Sequence, residues 1–136
     1  MKRLLLMTLI LGATAMIVSA LASFAAAAPP GKDITVASIP DKTKLLNATL
    51  QGKYIFVHDE DKMAKGEPCL YVYEYSEDQK GQPEIRPEKL IVSFHCQPVQ
   101  RAKATQIVLT YGMLSTDLFE LREIQFPGST EGHRVP

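Results

Sequence analysis

Cysteine and histidine are the side chains of this chain best suited to metal or redox chemistry. The chain has two cysteines and three histidines: Cys69, Cys96, His58, His95 and His133. Imidazole and sulfur ligands suit copper or zinc, so His58 and His95 are the candidate metal ligands. No pair of these residues has zinc-finger or H-E-x-x-H spacing. Adjacent residues in a strand point to opposite faces, which disfavours a single ion shared by His95 and Cys96.

The two cysteines are predicted to form one structural disulfide. The chain has no C-x-x-C sequence, which gives a thioredoxin-type redox role no support. Exported proteins meet oxidising conditions, where paired cysteines form disulfides. In the chain-entropy description, a disulfide that closes the loop from Cys69 to Cys96 stabilises the fold by roughly 3–4 kcal/mol. Free thiols or metal-bound thiols are the alternatives.

The N-terminal segment has the layout of a signal peptide over residues 1–27. Lys2 and Arg3 precede the apolar run Leu4–Val18, and small residues follow. Cleavage is predicted after Ala22 or within Ala25–Ala27, which places the protein in the periplasm or the cell exterior. An uncleaved membrane anchor is the alternative, since about 20 apolar residues can span a bilayer. Contact with a membrane is expected only if the segment is retained.

The charge balance excludes one class of partner. The chain carries 15 Lys and Arg against 15 Asp and Glu. Two of the basic residues, Lys2 and Arg3, lie in the signal segment, so the remaining domain is slightly acidic. Nucleic acid is therefore not an expected partner, because binding to phosphates needs a basic surface.

Short runs of β-branched and aromatic residues predict a mainly β domain over residues 33–126. Turn-like segments containing Gly, Pro and charges separate these runs. We predict a small antiparallel meander that closes as a sandwich or barrel. One short helix is allowed, because Ser115 is placed to cap a helix over Asp117–Ile124 as the alternative to a strand over Phe119–Phe126. Residues 127–136 are predicted to be a flexible C-terminal tail. The expected strand runs are Ile34–Ile39, Lys53–Val57, Cys69–Tyr75, Leu90–Cys96, Gln106–Tyr111 and Phe119–Phe126.

The disulfide also predicts a strand register. If Cys69 lies directly opposite Cys96 in a hairpin, one face of the ribbon becomes wholly apolar or aromatic. Three tyrosines of the first strand then share that face with the cysteines. A tyrosine face of this kind is either core or a platform for carbohydrate or peptide, and the apolar partners favour core. The expected pairs are Tyr71 with Phe94, Tyr73 with Val92 and Tyr75 with Leu90.

No motif specifies an activity. The first hypothesis is an exported, non-catalytic binding or structural module with a protein, peptide or carbohydrate partner. The second is a copper or zinc protein that uses His58 or His95. The third is an enzyme, which has no supporting motif in the sequence. No cofactor is predicted, although the second hypothesis would require a bound metal ion.

Overall fold

The computed structural model describes residues 31–136. The signal peptide predicted over residues 1–27 lies outside this range. Among the described residues, no helix is both long enough and apolar enough to cross a membrane.

The described chain is mainly β, as the sequence predicts, and contains one short α-helix and one 3-10 turn. The α-helix begins after Asp59, whose carboxylate accepts a hydrogen bond from the Lys62 N–H at 3.2 Å and so caps it. The elements in chain order are β1 (Lys32–Leu45), β2 (Ala48–Asp59), α1 (Glu60–Ala64), β3 (Leu70–Glu74), the 3-10 turn (Pro87–Lys89), β4 (Leu90–Phe94), β5 (Gln97–Gln100), β6 (Val108–Ser115), β7 (Leu118–Gln125) and β8 (Glu131–Arg134).

The eight strands form one curled sheet that remains open as a half-barrel. Its order is β4-β3-β2-β1-β7-β8-β5, and β6 pairs with the other edge of β7. The pairs are antiparallel except β1 with β7, which run parallel over a short stretch. Because the sheet curls, strands that are not neighbours bring their inner side chains together. The inner face holds the hydrophobic core, formed by Ala37, Ile39, Leu45, Leu50, Tyr54, Phe56, Leu70, Val72, Val92, Phe94, Leu121, Ile124 and Phe126.

Strand β7 settles the ambiguity over residues 119–126. The segment is a strand paired with β6, β1 and β8, and the helix alternative is wrong. The side chains of Leu121 and Ile124 are almost fully buried. Burial of β-favouring side chains against three neighbouring strands outweighs the capping signal of Ser115.

The register predicted between the two strands next to the cysteines, β3 and β4, is wrong by one residue at the end nearest the disulfide. Leu70 lies opposite Phe94 and Tyr71 opposite Ser93, so Tyr71 does not face Phe94. The purely aliphatic and phenyl side chains take the inner face, and the tyrosines point outward. The physical reason is that a tyrosine hydroxyl costs free energy when it is buried without a partner, whereas leucine and valine have no polar group to satisfy.

A bulge shifts the register further along the same pair of strands. Tyr73 lies opposite Leu90, where the sequence predicted Val92. Cys69 precedes β3 and Cys96 follows β4, and the two are paired at disulfide distance with their Cα atoms 6.6 Å apart. The disulfide therefore joins the ends of the two strands, and it does not dictate which residues inside them are opposite.

The C-terminal segment is not a flexible tail within the described structure. Residues Glu131–Arg134 form β8, which lies between β5 and β7. The Gln125 amide donates hydrogen bonds to the carbonyls of Ala102 and Ser129 at 2.7 and 2.9 Å, and so fixes the turn before β8. The prediction failed because β8 buries a histidine and a glycine, which a hydrophobic pattern does not reveal.

Candidate functional site

The inner face of the half-barrel holds two histidines against the disulfide. His58 is the penultimate residue of β2 and His133 lies in β8, and both side chains are 2% exposed. Their rings stack with centroids 3.9 Å apart and an interplanar angle of 30°. Phe126 packs beside both histidines: its ring centroid is 6.0 Å from the ring centroid of His58 and 6.0 Å from that of His133. The curl of the sheet brings these side chains together, because β1 and β7 separate the two strands in the sheet order.

The sulfur atoms lie within reach of both imidazoles. The Cys96 Sγ is 3.5 Å from His133 Nδ1. A ring nitrogen of His58 and the Sγ atoms of Cys69 and Cys96 all lie within 4.8 Å of one another. These four residues, Cys69, Cys96, His58 and His133, are called the inner cluster below. Two soft sulfurs and two imidazoles are the donor set of a tetrahedral zinc site, but in the disulfide form the sulfurs are bonded to each other.

His58 is left without a hydrogen bond. Its Nδ1 and Nε2 are the two buried side-chain nitrogen or oxygen atoms of the described residues that have no hydrogen-bond partner. The nearest charge to Nδ1 is the Asp33 carboxylate, whose Oδ2 is 3.7 Å away. Buried polar atoms are nearly always paired, so an unpaired imidazole is an observation that needs a reason.

The protonation state of His133 follows from its surroundings. Burial lowers the pKa of His133 to about 4, and the neighbouring His58 adds to this effect, while the charge of Glu123 opposes it. The ring is therefore neutral at neutral pH. A neutral imidazole is the form that binds metal ions.

His95 does not join the inner cluster. It lies between β4 and β5 and is exposed, whereas its predicted partner His58 is buried. Of the described residues, the groups of ligands close enough to share an ion include His58 but not His95. The structure therefore places the two predicted metal ligands in different surroundings.

The outer face of the same strands carries a depression of about 270 Å³. Tyr71 and Tyr73 form part of its floor, with their ring centroids 6.5 Å apart and their planes 20° from parallel. Both rings are half-buried. The complete lining, called the outer depression below, consists of Lys32, Ile34, Val57, Asp59, Lys62, Tyr71, Tyr73 and Ile85.

The charges of the outer depression sum to an excess of one positive charge. Lys32 pairs with Asp59, with Nζ 3.5 Å from Oδ2. Burial favours the neutral form of Asp59, but the hydrogen bond from the Lys62 N–H and the charge of Lys32 outweigh it, and the Asp59 pKa lies below its usual value. The Lys62 ammonium lies 5.1 Å from the Tyr71 ring centroid, and hydrogen bonding to the Tyr71 hydroxyl raises the Lys62 pKa. The carboxylates of Glu67 and Asp59 also favour the charged form of Lys62 and raise its pKa.

Tyr75 lies outside the depression, although the sequence grouped it with the other two tyrosines. Its hydroxyl donates to Glu77 Oε1 at 2.6 Å, and the Lys53 ammonium lies 4.4 Å from its ring centroid. The bulge after Val72 and the end of β3 at Glu74 separate Tyr75 from the line of Tyr71 and Tyr73. The Lys53–Tyr75 pair is consequently a matched control for Lys62–Tyr71.

Sequence reasoning missed several members of both sites. His133 lies in the predicted tail, and the lysines of the outer depression belong to no sequence motif. Lys32 and Ile34 are alternate residues of β1, and alternate residues of a strand share a face. This spacing was a signal that could have placed both on the same outer face. No local signal placed Ile85, which comes from the long loop between β3 and β4.

Comparisons of the chain with protein-family models, with curated proteins and with solved structures gave no match.

Proposed function

We propose that the chain is an exported, non-catalytic binding module whose outer depression takes an acidic sugar, a six-membered ring that bears one carboxylate. The observation that carries the proposal is the pair of near-parallel rings, Tyr71 and Tyr73, with the Lys62 ammonium beside them. Export is supported by the signal-like N-terminal segment and the disulfide pairing.

The floor of the depression suits the apolar face of a sugar ring. An aromatic face is negative at its centre and attracts C–H groups and cations. The Tyr71 and Tyr73 rings stand near-parallel on β3 with their centroids 6.5 Å apart, and Ile34 and Val57 extend the apolar area on the neighbouring strands. Because these side chains stand on paired strands, the surface is formed before a ligand arrives.

The polar groups favour a sugar over an aromatic acid. The lining holds two ammonium groups, Lys32 and Lys62, and one carboxylate, Asp59, so its net charge of plus one matches a ligand with a single carboxylate. Asp59 is held ionised beside Lys62 and can only accept hydrogen bonds. Asp59 is only 4% exposed and is engaged by Lys32 and the Lys62 N–H. The preference for a sugar therefore rests on its hydroxyls, which can exchange hydrogen bonds with the tyrosine hydroxyls of the lining, whereas the ring of an aromatic acid has none to offer.

The lining also favours binding over catalysis. The residues of the outer depression include no histidine or cysteine, and its one carboxylate is engaged by Lys32 and by the helix N–H. A catalytic carboxyl group is usually tuned toward neutral pH, but Asp59 is shifted the other way.

The test is a titration of the isotope-labelled domain, followed by amide chemical shifts, with three small probes. Glucuronate is the acidic sugar, glucose is its neutral counterpart, and benzoate is an aromatic acid of the same charge. We expect saturable shifts in β2 and β3 with glucuronate, and binding of glucose and benzoate that is several-fold weaker. Absence of saturable shifts with glucuronate would refute the proposal. Tighter binding of benzoate than of glucuronate would show that the depression prefers an aromatic acid to an acidic sugar.

Two variants and their matched controls locate the site. Tyr73→Ala is expected to weaken glucuronate binding about five- to tenfold, the value typical of one aromatic contact. Lys62→Gln is expected to weaken it about two- to fivefold, since the ion pair is exposed. Tyr75→Ala and Lys53→Gln change the equivalent pair outside the depression and are expected to leave binding unchanged. Equal losses in the control variants would contradict the assigned location.

A further inference from the structure

We infer that reduction of the Cys69–Cys96 disulfide turns the inner cluster into a buried zinc site, with Cys69, Cys96, His58 and His133 as the four ligands. This site lies on the inner face of the sheet and is independent of the outer depression, so each proposal can fail without the other.

The spacing of the donor atoms fits one ion. Ligand atoms placed about 2.0–2.3 Å from a tetrahedral zinc ion lie about 3.5 Å from one another. The Cys96 Sγ is 3.5 Å from His133 Nδ1. A His58 nitrogen and both sulfurs lie within 4.8 Å of one another and form a three-donor group. His133 is outside that group and joins it as the fourth donor through its contact with Cys96 and its stacking on His58. Once the S–S bond is broken, the two sulfurs must separate, and the stacked imidazoles must turn so that one nitrogen of each ring faces the ion.

The unpaired imidazole of His58 is the second observation. The side chain is 98% buried, and neither nitrogen has a hydrogen bond. Its Nδ1 lies 3.7 Å from the Asp33 carboxylate, just beyond hydrogen-bond distance, and a small turn of the ring toward Asp33 would close that bond and leave Nε2 for a metal. A carboxylate that accepts from the far nitrogen is the usual support of a metal-binding histidine. We therefore assign Asp33 as a positioning residue for His58.

Charge selects a divalent ion. Two thiolates with a divalent cation leave no net charge in the core, whereas two thiolates with a monovalent copper ion leave one negative charge there. An uncompensated charge in an apolar core is costly. Zinc also undergoes no redox reaction with thiolates and accepts the sulfur and imidazole set in tetrahedral geometry.

The reductant is a dithiol supplied from outside. Its thiolate attacks the Cys96 sulfur, because Cys96 is half-buried while Cys69 is 1% exposed, and Cys69 leaves as the thiolate. The second thiol of the reductant then displaces Cys96 from the mixed disulfide. The protein gains two electrons and two protons, and the reductant leaves as a cyclic disulfide. Binding of zinc to the two thiols then releases two protons.

The test uses the folded domain under argon, before and after reduction with dithiothreitol that is removed by gel filtration. Cobalt(II) is the probe, since tetrahedral cobalt with thiolate ligands has strong visible and charge-transfer bands. We expect these bands to saturate at one equivalent in the reduced protein, to be absent in the oxidised protein, and to disappear when zinc is added. A folded, reduced protein without the bands would overturn the inference.

Three variants and one control assign the ligands. His58→Gln and His133→Gln are expected to lower the cobalt affinity about a hundredfold, and Asp33→Asn about tenfold, in the range of supporting residues. His95→Gln is the control, because His95 adjoins Cys96 but is exposed, and its affinity is expected to stay within about twofold. The fold of each variant is checked by near-ultraviolet circular dichroism in the disulfide form, which needs no metal. Equal losses in His95→Gln and His58→Gln would reject the assigned ligands.

The reduced protein without metal can unfold, because it loses its only cross-link. In that case zinc present during the reduction is expected to restore the near-ultraviolet signal of the oxidised protein. If the reduced chain stays unfolded with zinc present, the inference is wrong.

Discussion

Arg101 donates two parallel hydrogen bonds to the carboxylate of Glu123, from Nε to Oε1 at 2.7 Å and from Nη2 to Oε2 at 2.8 Å. Glu123 lies in β7 with its side chain 11% exposed, and Arg101 follows β5. Since β8 lies between these strands, the pair ties the two outer neighbours of β8 to each other. Bidentate pairs of this kind are the stronger class of ion pair.

We expect Arg101→Gln to lower the free energy of unfolding by about 1–2 kcal/mol, because it leaves a largely buried carboxylate without its main partner. Arg134, 3.9 Å away, compensates only in part. Arg122→Gln is the matched control, since Arg122 pairs with Glu120 on the surface at 3.4 Å, and its effect is expected to stay within about 0.5 kcal/mol. Urea unfolding at pH 7 measures both. Equal effects of the two changes would show that the Arg101 pair is an ordinary surface contact.

The same pair makes stability depend on pH. The hydrogen bonds from Arg101 hold the pKa of Glu123 below its ordinary value of 4.5. The native state therefore binds a proton at this site less readily than the unfolded chain does. Its contribution is complete above the unfolded pKa and is lost as the pH falls through the lower, native pKa.

The stability difference between the natural protein and Arg101→Gln is accordingly expected to be constant above about pH 5.5 and to shrink below pH 4.5. Urea unfolding at pH 7, 5.5, 4 and 3 measures it. A difference that stays constant down to pH 3 would assign the effect of Arg101 to packing rather than to charge.

A substitution in the turn between β1 and β2 is predicted to stabilise the protein. Leu46 has φ of 53°, a conformation that costs an L-residue with a Cβ about 1 kcal/mol, and its side chain gains little because it is 40% exposed. Leu46→Gly is therefore expected to raise the free energy of unfolding by about 0.5 kcal/mol, after the larger entropy of glycine in the unfolded chain is counted. Leu90→Gly is the control, because Leu90 is 42% exposed but extended, and this change is expected to cost about 0.5–1 kcal/mol. Stabilisation by both changes would mean that the φ angle of Leu46 is not the cause. Thermal and urea unfolding measure the two effects.

The mainly β fold was predictable, because aromatic and β-branched runs separated by turn residues mark strands without reference to the tertiary structure. The register of β3 and β4 was not, because both faces of that ribbon are apolar enough to form a core. Tyr71 and Tyr73 alternate with Leu70 and Val72, and only the three-dimensional context shows that the tyrosines point outward. The pattern carried too little contrast to fix a register that differs by one residue.

The inner cluster was only half predictable for a different reason. The pairing of Cys69 with Cys96 could be predicted from their number and the predicted signal segment, but its proximity to His58 and His133 depends on the curl of the whole sheet. Contacts between residues far apart in the chain leave no local trace in the sequence. A buried histidine also looks like a surface residue to any hydrophobicity pattern.

The C-terminal strand gives the most direct test of the fold. Removal of residues Glu131–Pro136 takes β8 out of the sheet, unpairs β5 and one edge of β7, and opens the core beside His58. We expect this truncation to cost at least about 3 kcal/mol, the level reached when a core contact and several backbone hydrogen bonds are lost together. Removal of Pro136 alone is the control and is expected to have no measurable effect, since Pro136 is exposed and belongs to no strand. Urea unfolding and hydrogen exchange of the β7 amides measure both truncations. If the longer truncation leaves the stability unchanged, residues 131–136 act as the loose tail that the sequence pattern indicated, and the assignment of His133 to the inner cluster fails with it.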